Sequence, residues 1–289
     1  MKILKALFLS LAIFLINPLS ADDGSPVKVG IAQEQTIVSP GSEFRVLLTF
    51  DLDASWHLYW KNPGDSGMAP SIEWKLPEGV QLSAEEWPAP EKYEQQGIIS
   101  YGYEGKIPLV AIFRIAPDFK GDLLNFSADL SWVVCSSDTC LPGSQAVQAK
   151  LKVGPHAEFD EKVRPLFESA LSHLPEKITP LSAGFNGKML TLALPIQGAT
   201  EAEFYPEAES PVDHHQPASA VPADEQGISL ITLTATQEKP APVRGILKTG
   251  GKTYAVQAYL PSVEDDALIS VADLPKEVGG ALSYIPTES

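Results

Sequence analysis

The sequence predicts a mainly β chain of two sandwich-like halves separated by one helix, and three observations carry that expectation. Apolar and polar residues alternate at a period of two in many short runs. Clusters of Gly, Pro, Asn and Asp separate those runs. A single stretch after Gly154 switches to three- and four-residue steps.

The chain opens with MKILKALFLSLAIFLINPLSA, where Lys2 and Lys5 precede an apolar run from Ala6 to Ile16 and Pro18 leads to a small-residue end. These are the parts of a secretory signal over residues 1–21, expected to be cut after Ala21. The apolar core is short for a membrane span, and no later stretch approaches 18 consecutive apolar residues. The mature chain is therefore expected to be exported, soluble and not membrane-spanning.

Residues 26–154 read as the first sandwich. Phe44, Val46, Leu48, Phe50 and Leu52 alternate with Arg45, Thr49 and Asp51, the pattern of a half-buried antiparallel strand. Val147, Ala149, Leu151 and Val153 repeat it against Gln148, Lys150 and Lys152. NPGDSG (62–67), PEG (77–79) and YEG (103–105) punctuate further runs, among them IPLVAIFRI (107–115) and LNFSADLSWVV (124–134). All five tryptophans fall in this half, and Trp56, Trp74 and Trp132 are expected in its core.

The connector, residues 155–177, places Phe159, Val163, Leu166, Phe167, Ala170, Leu171 and Leu174 at helical steps. Pro165 should either kink this helix or mark its true first turn. KMLTLALPI, GISLITLTA, APVRGILKT and TYAVQAYLP then give a second, smaller sandwich over 178–262. The acidic, Pro- and Ala-rich segment 205–227 is expected to be a long surface loop, and 263–289 a tail with few apolar anchors.

The formal charge of the whole chain is −16; signal cleavage leaves 19 basic against 37 acidic residues, or −18. Nucleic acid and anionic lipid are poor partners for such a surface, and no nucleic-acid partner is expected. From Met189 to Glu238 there is no Lys or Arg, which reads as a solvated acidic face.

Cys135 and Cys140, the only cysteines, stand in LSWVVCSSDTCLPG, where an alternating strand runs into a polar turn. Export puts them in an oxidising compartment, where a pair normally ends up bridged. Closing so short a loop adds only about 2 kcal/mol on the chain-entropy model, against about 4.7 for a 100-residue loop. Stability is thus a weak reason for the pair. Asp138 between them disfavours a thiolate by like charge, which argues for a sheltered thiol that waits for a docked partner.

Zinc competes for a cysteine pair, with His57, His214 or His215 as further ligands, but the spacing is wrong for a zinc knuckle and there is no second pair. His214 and His215 suggest loose copper binding, although adjacent histidines in an acidic loop are as a rule simply exposed. No nucleophile elbow, phosphate loop or HExxH motif occurs. The expectation is that no metal or organic cofactor is needed.

HLYWKNPGDSG (57–67), EWPAPEKYE (86–94), ISYGYEGKIPL (99–109), WVVCSSDTCLPG (132–143) and EFYPEAESPVDHHQP (203–217) occur in that order. Together they resemble the N-terminal periplasmic part of the DsbD/ScsB thiol:disulfide interchange proteins, over about residues 27–262. The resemblance implies two immunoglobulin-like β-sandwich domains joined by a short helical connector. It implies that Cys135 and Cys140 are a redox pair, with Cys140 forming the mixed disulfide. It implies an aromatic cap over the disulfide, with Tyr93 of EKYEQQG as first candidate and Tyr101 and Tyr103 in reserve. His57 and Tyr59 match the aromatic segment beside the cysteines in that family; an inward place at a strand end explains them as well.

The implied activity is that of a periplasmic thiol:disulfide oxidoreductase. It would relay electrons from a membrane-embedded thiol reductase to periplasmic disulfide-bearing proteins. Family members usually continue into transmembrane helices and this chain ends at Ser289 without them, so either the reductase is a separate chain, the expectation here, or the domain has been put to another use. The competing reading is a non-catalytic exported binding protein whose disulfide only pins a loop.

Overall fold

The computed structural model describes residues 25–222, 227–237 and 241–259. The expected signal at 1–21 and tail at 263–289 lie outside the described residues. Alternation becomes strand as anticipated, and the strands form four sheets. The first runs Val27–Gln33, Glu43–Leu52, Lys106–Ile115, Val80–Glu86. The second has eight strands. Its order is Glu158–Phe159, Gln35–Val38, Cys140–Val153, Leu123–Cys135, His57–Gly64, Ile98–Glu104, Glu91–Gln95, and Ser71–Lys75 also pairs with Leu123–Cys135.

These two sheets face one another across a single core. Phe44, Val46, Leu48 and Phe50 line one wall, and Leu124, Phe126, Ala128, Leu130 and Trp132 line the other. Both sets are alternate residues, because successive strand side chains point to opposite faces. Phe113 stacks on Phe44 at 5.2 Å and meets Trp74 edge-on at 4.8 Å. Trp132 is buried, as expected, whereas Trp56 and Trp74 are only partly buried at the core's margin.

Leu47 breaks the alternation of its strand, and the connector explains it. The helix spans only Arg164–Ser172, with Pro165 in its first turn rather than at a kink. Phe159, expected on that helix, lies instead in the short strand Glu158–Phe159 and is exposed. Phe167 and Ala170 cover Leu47 and Val110 on the outer face of the first sheet. The connector therefore closes a second apolar layer as well as linking the halves.

Beyond it, one sheet runs Glu176–Ile178, Lys252–Ala258, Val243–Thr249, Glu203–Pro206, and the other Ser182–Phe185, Met189–Leu194, Ser229–Thr234, Ser219–Pro222. Leu190, Leu192, Leu194, Ile231, Leu233, Val243, Leu247 and Val256 fill the space between them. The fold is mainly β, of two immunoglobulin-like sandwiches.

The acidic segment differs from the long loop expected. Strand residues 203–206 and 219–222 bracket a shorter connection, and Tyr205, Pro206, Pro211 and Val212 in it are buried. The cause is contact with the first half. Tyr205 packs on Tyr101 at 5.2 Å and joins the first core together with Ile246. Asn62 Nδ2 donates to the Pro206 carbonyl at 2.7 Å, while Lys61 pairs with Glu207 and Lys248 with Glu91.

Candidate functional site

Leu123–Cys135 and Cys140–Val153 form one hairpin, paired in register from Leu123 opposite Lys152 to Cys135 opposite Cys140. The last rung thus sets the two sulfurs face to face, and they are bonded. Ser136 shapes the turn. Its N–H donates to the Thr139 carbonyl at 2.8 Å, and its Oγ accepts from the N–H groups of Asp138 and Thr139 at 3.3 Å. Such side-chain capping is what a Ser in a tight turn supplies.

The two sulfurs differ in access. Cys135 is 4% exposed, whereas Cys140 and its neighbour Leu141 are open to solvent. Cys135 lies opposite His57 on the adjoining strand. Two residues along that strand, the Tyr59 Oη donates to Cys135 Sγ at 3.4 Å. Burial holds the Tyr59 phenol above its ordinary pKa of 10.0, so it remains a donor.

Tyr93 stacks on His57 at 5.6 Å, and His57 meets Tyr59 edge-on at 5.2 Å. Five of the expected site residues, Tyr93, His57, Tyr59, Cys135 and, through the bridge, Cys140, are thereby one contiguous set. Desolvation lowers the His57 pKa below 6.5 against the opposing pull of Glu104, which keeps the imidazole neutral at neutral pH. Burial, with Glu104 and Glu91 nearby, pushes the Tyr93 phenol up to about 12.

Tyr101 and Tyr103 are not part of that set. They are alternate residues of Ile98–Glu104, and both point into the core. Tyr103 stacks on Trp87 and donates to the Pro88 carbonyl at 2.9 Å. Tyr101 sits against Trp60, Tyr205 and His214, at the seam between the halves. Neither is available as a reserve cap.

Two neighbours escaped sequence reasoning. Glu104, opposite His57 on the next strand, supplies the negative charge felt by both His57 and Tyr93. Gly67, in the NPGDSG turn, has φ +99°, and a Cβ there would come within 2.2 Å of the Tyr59 ring. Its place in a turn was legible; the phenol above it was not.

A second cluster gathers at the seam. His214 and His215 both place Nε2 on Asp65 Oδ1, at 2.9 and 3.0 Å. Asp65 Oδ2 accepts the Ile99 N–H at 2.7 Å. Burial pushes the Asp65 carboxyl up, but the Ile99 N–H and His214 outweigh it and hold the group below its ordinary value. Among the described residues, no helix is long and apolar enough to cross a membrane.

Residues 26–152 match the family model for the N-terminal part of thiol:disulfide interchange protein DsbD. The N-terminal periplasmic domain of ScsB from Proteus mirabilis is a structural neighbour with a TM-score of 0.55 and 18% identity, over 84% of this chain and 97% of that one. At that identity the likeness speaks for the fold. The N-terminal domain of Neisseria meningitidis DsbD in its reduced form gives a TM-score of 0.27 at 12% identity, over 45% of this chain and 90% of that one. A type I cohesin of Pseudobacteroides cellulosolvens gives 0.31 at 12%, over 46% and 96%. No curated protein matches the chain.

Proposed function

We propose, for a chain whose residues 26–152 belong to the DsbD N-terminal family, that Cys135 and Cys140 form the working pair of a periplasmic thiol–disulfide interchange module. A membrane-embedded reductase would reduce the pair, and oxidised periplasmic proteins would receive its electrons. The observation that carries this is the asymmetry of the bridge, an exposed Cys140 bonded to a buried Cys135 that accepts the Tyr59 hydroxyl.

Exchange proceeds by thiolate attack on a disulfide sulfur. The Cys140 thiolate attacks a partner's disulfide, forming a mixed disulfide and releasing one partner thiolate. The Cys135 thiolate then attacks Cys140, restoring the internal bridge and releasing the second partner thiolate. Two electrons pass to the partner, and two protons follow to its thiols. Tyr93, stacked on His57 beside the bridge, would be the cap that a docking partner displaces, which is gating by a surface element.

The deciding experiment is the reduction potential of the pair in the mature protein, together with partner trapping. An exchange module lies at about −180 to −270 mV, whereas a structural disulfide falls below about −300 mV. Cys135→Ser should accumulate mixed disulfides through Cys140, Cys140→Ser should not, and Tyr93→Ala should speed air oxidation of the dithiol. A potential far below the exchange range would return the bridge to a structural role.

A further inference from the structure

We propose that Asp65, His214 and His215 form a binding site for one divalent transition-metal ion, which clamps the two halves of the molecule together. The histidines lie 149 and 150 residues from the aspartate in sequence, and the fold alone brings them to one point.

The donor set has the chemistry of such a site. Two imidazoles and a carboxylate suit borderline ions of the zinc type, which take nitrogen and oxygen at about 2.0–2.2 Å. Ligands at that range around one ion stand roughly 3–3.5 Å apart. The Nε2 atoms stand 2.9 and 3.0 Å from Asp65 Oδ1, and the ligand atoms of all three residues lie within 4.8 Å of one another. An ion entering there needs only small outward shifts of the two rings. Each ring would then carry its proton on Nδ1 and offer the Nε2 lone pair.

The surroundings hold these groups in place, as supporting contacts do in metal sites. The Asp65 carboxylate is fixed from behind by the Ile99 N–H at 2.7 Å, and the Asp65 N–H donates to the Ile99 carbonyl at 2.8 Å. On the other side, the His215 N–H donates to Asp213 Oδ1 at 3.0 Å, and the Asp213 N–H donates to the Thr234 carbonyl at 2.8 Å. The His214 ring rests edge-on against buried Tyr101, and the two imidazoles lie 4.5 Å apart. The Asp65 and His214 side chains are 25% and 22% exposed, with Asp65 as a whole residue lying at the surface, and His215 at 46% leaves an entry path.

The ion would add a bond between the Asn62–Gly67 turn and the acidic connection, where the halves already meet through Asn62 and Pro206. Binding only the folded arrangement, it raises stability by mass action.

The test uses tag-free mature protein with the Cys135–Cys140 bridge closed, so that no thiolate competes. Zn²⁺ is titrated by calorimetry and Co²⁺ by visible absorption. One ion per chain should bind saturably, with cobalt ligand-field bands and no sulfur charge-transfer band, and the melting temperature should rise with Zn²⁺. Asp65→Asn and His214→Ala should each weaken binding by at least the roughly 10- to 100-fold that supporting residues already cost. His173→Ala, on the connector, should not. Failure of the wild-type protein to bind one ion overturns the proposal whatever the variants do. Equal affinity in folded Asp65→Asn and His214→Ala overturns it too, and leaves the cluster as a hydrogen-bonded latch.

Discussion

Tyr59→Phe removes one hydroxyl and leaves the ring that packs over Gly67, so it isolates the hydrogen bond to Cys135 Sγ. A thiolate accepts that bond more strongly than a bridged sulfur does, so Tyr59 favours the reduced pair and raises its potential. A hydrogen bond is worth about 0.5–1.5 kcal/mol net, and about 1.4 kcal/mol corresponds to 30 mV for a two-electron couple. Losing the hydroxyl should therefore make the potential more negative by about 10–30 mV. The shift should be larger at pH 9 than at pH 7, because an ordinary cysteine thiol ionises near 8.5 while the phenol, held above 10.0 by burial, still carries its proton. Thiol trapping in graded glutathione buffers at the two pH values reads both quantities. A potential unchanged at both, or one that moves upward, refutes the claim that Tyr59 tunes the pair.

Gly67→Ala should be costly for two reasons, a φ of +99° and a Cβ driven into the Tyr59 ring, each contributing about 1–3 kcal/mol. An unfolding free energy from urea titration within about 0.5 kcal/mol of wild type would contradict the packing described. Glu85→Gln tests a half-buried carboxyl that accepts the Trp74 Nε1–H at 2.7 Å. Burial raises its pKa above 4.5 against the pull of Trp74 and Lys61. Its contribution to stability is thus fully present below pH 4.5 and is lost as pH rises through the folded value. Gln keeps an acceptor for Trp74 without the charge. The variant should be more stable than wild type at pH 7, with the difference closing below about pH 4; equal thermal stability across that range contradicts the assignment.

Local periodicity carried most of the fold, because the face a residue uses follows from its place in the alternation. It failed where a third layer intervened. Leu47 is out of phase with its strand and is buried because Phe167 covers it, and Phe159 shares the helical spacing although it pairs with Gln35 in a sheet. Tyr101 and Tyr103 have the same phase as the core residues of their strand, so their burial was readable from alternation alone. Tyr93 departs from that fate because Glu91–Gln95 is the last strand on its sheet's path and has no core on its outer side. The Asp65 cluster could not be read locally, since no pattern in NPGDSG or DHHQ specifies what stands opposite it.

The position of the cysteines at the last rung of a long hairpin bears on how the bridge can open without loss of structure. The ladder from Leu123–Lys152 to Val134–Leu141 leads to Cys135 opposite Cys140, and this backbone pairing does not itself require the bridge. Closing the bridge restricts a turn that Ser136 already caps, and it contributes only about 2 kcal/mol on the chain-entropy model. Reduction therefore costs little of the fold, and the free energy of the sulfur exchange stays nearly uncoupled from the free energy of folding. A bridge between remote strands would tie the two together, since each reduction would loosen the sandwich whose surface the partner must dock against. The short separation that makes this pair a poor staple is what the proposed exchange role would require.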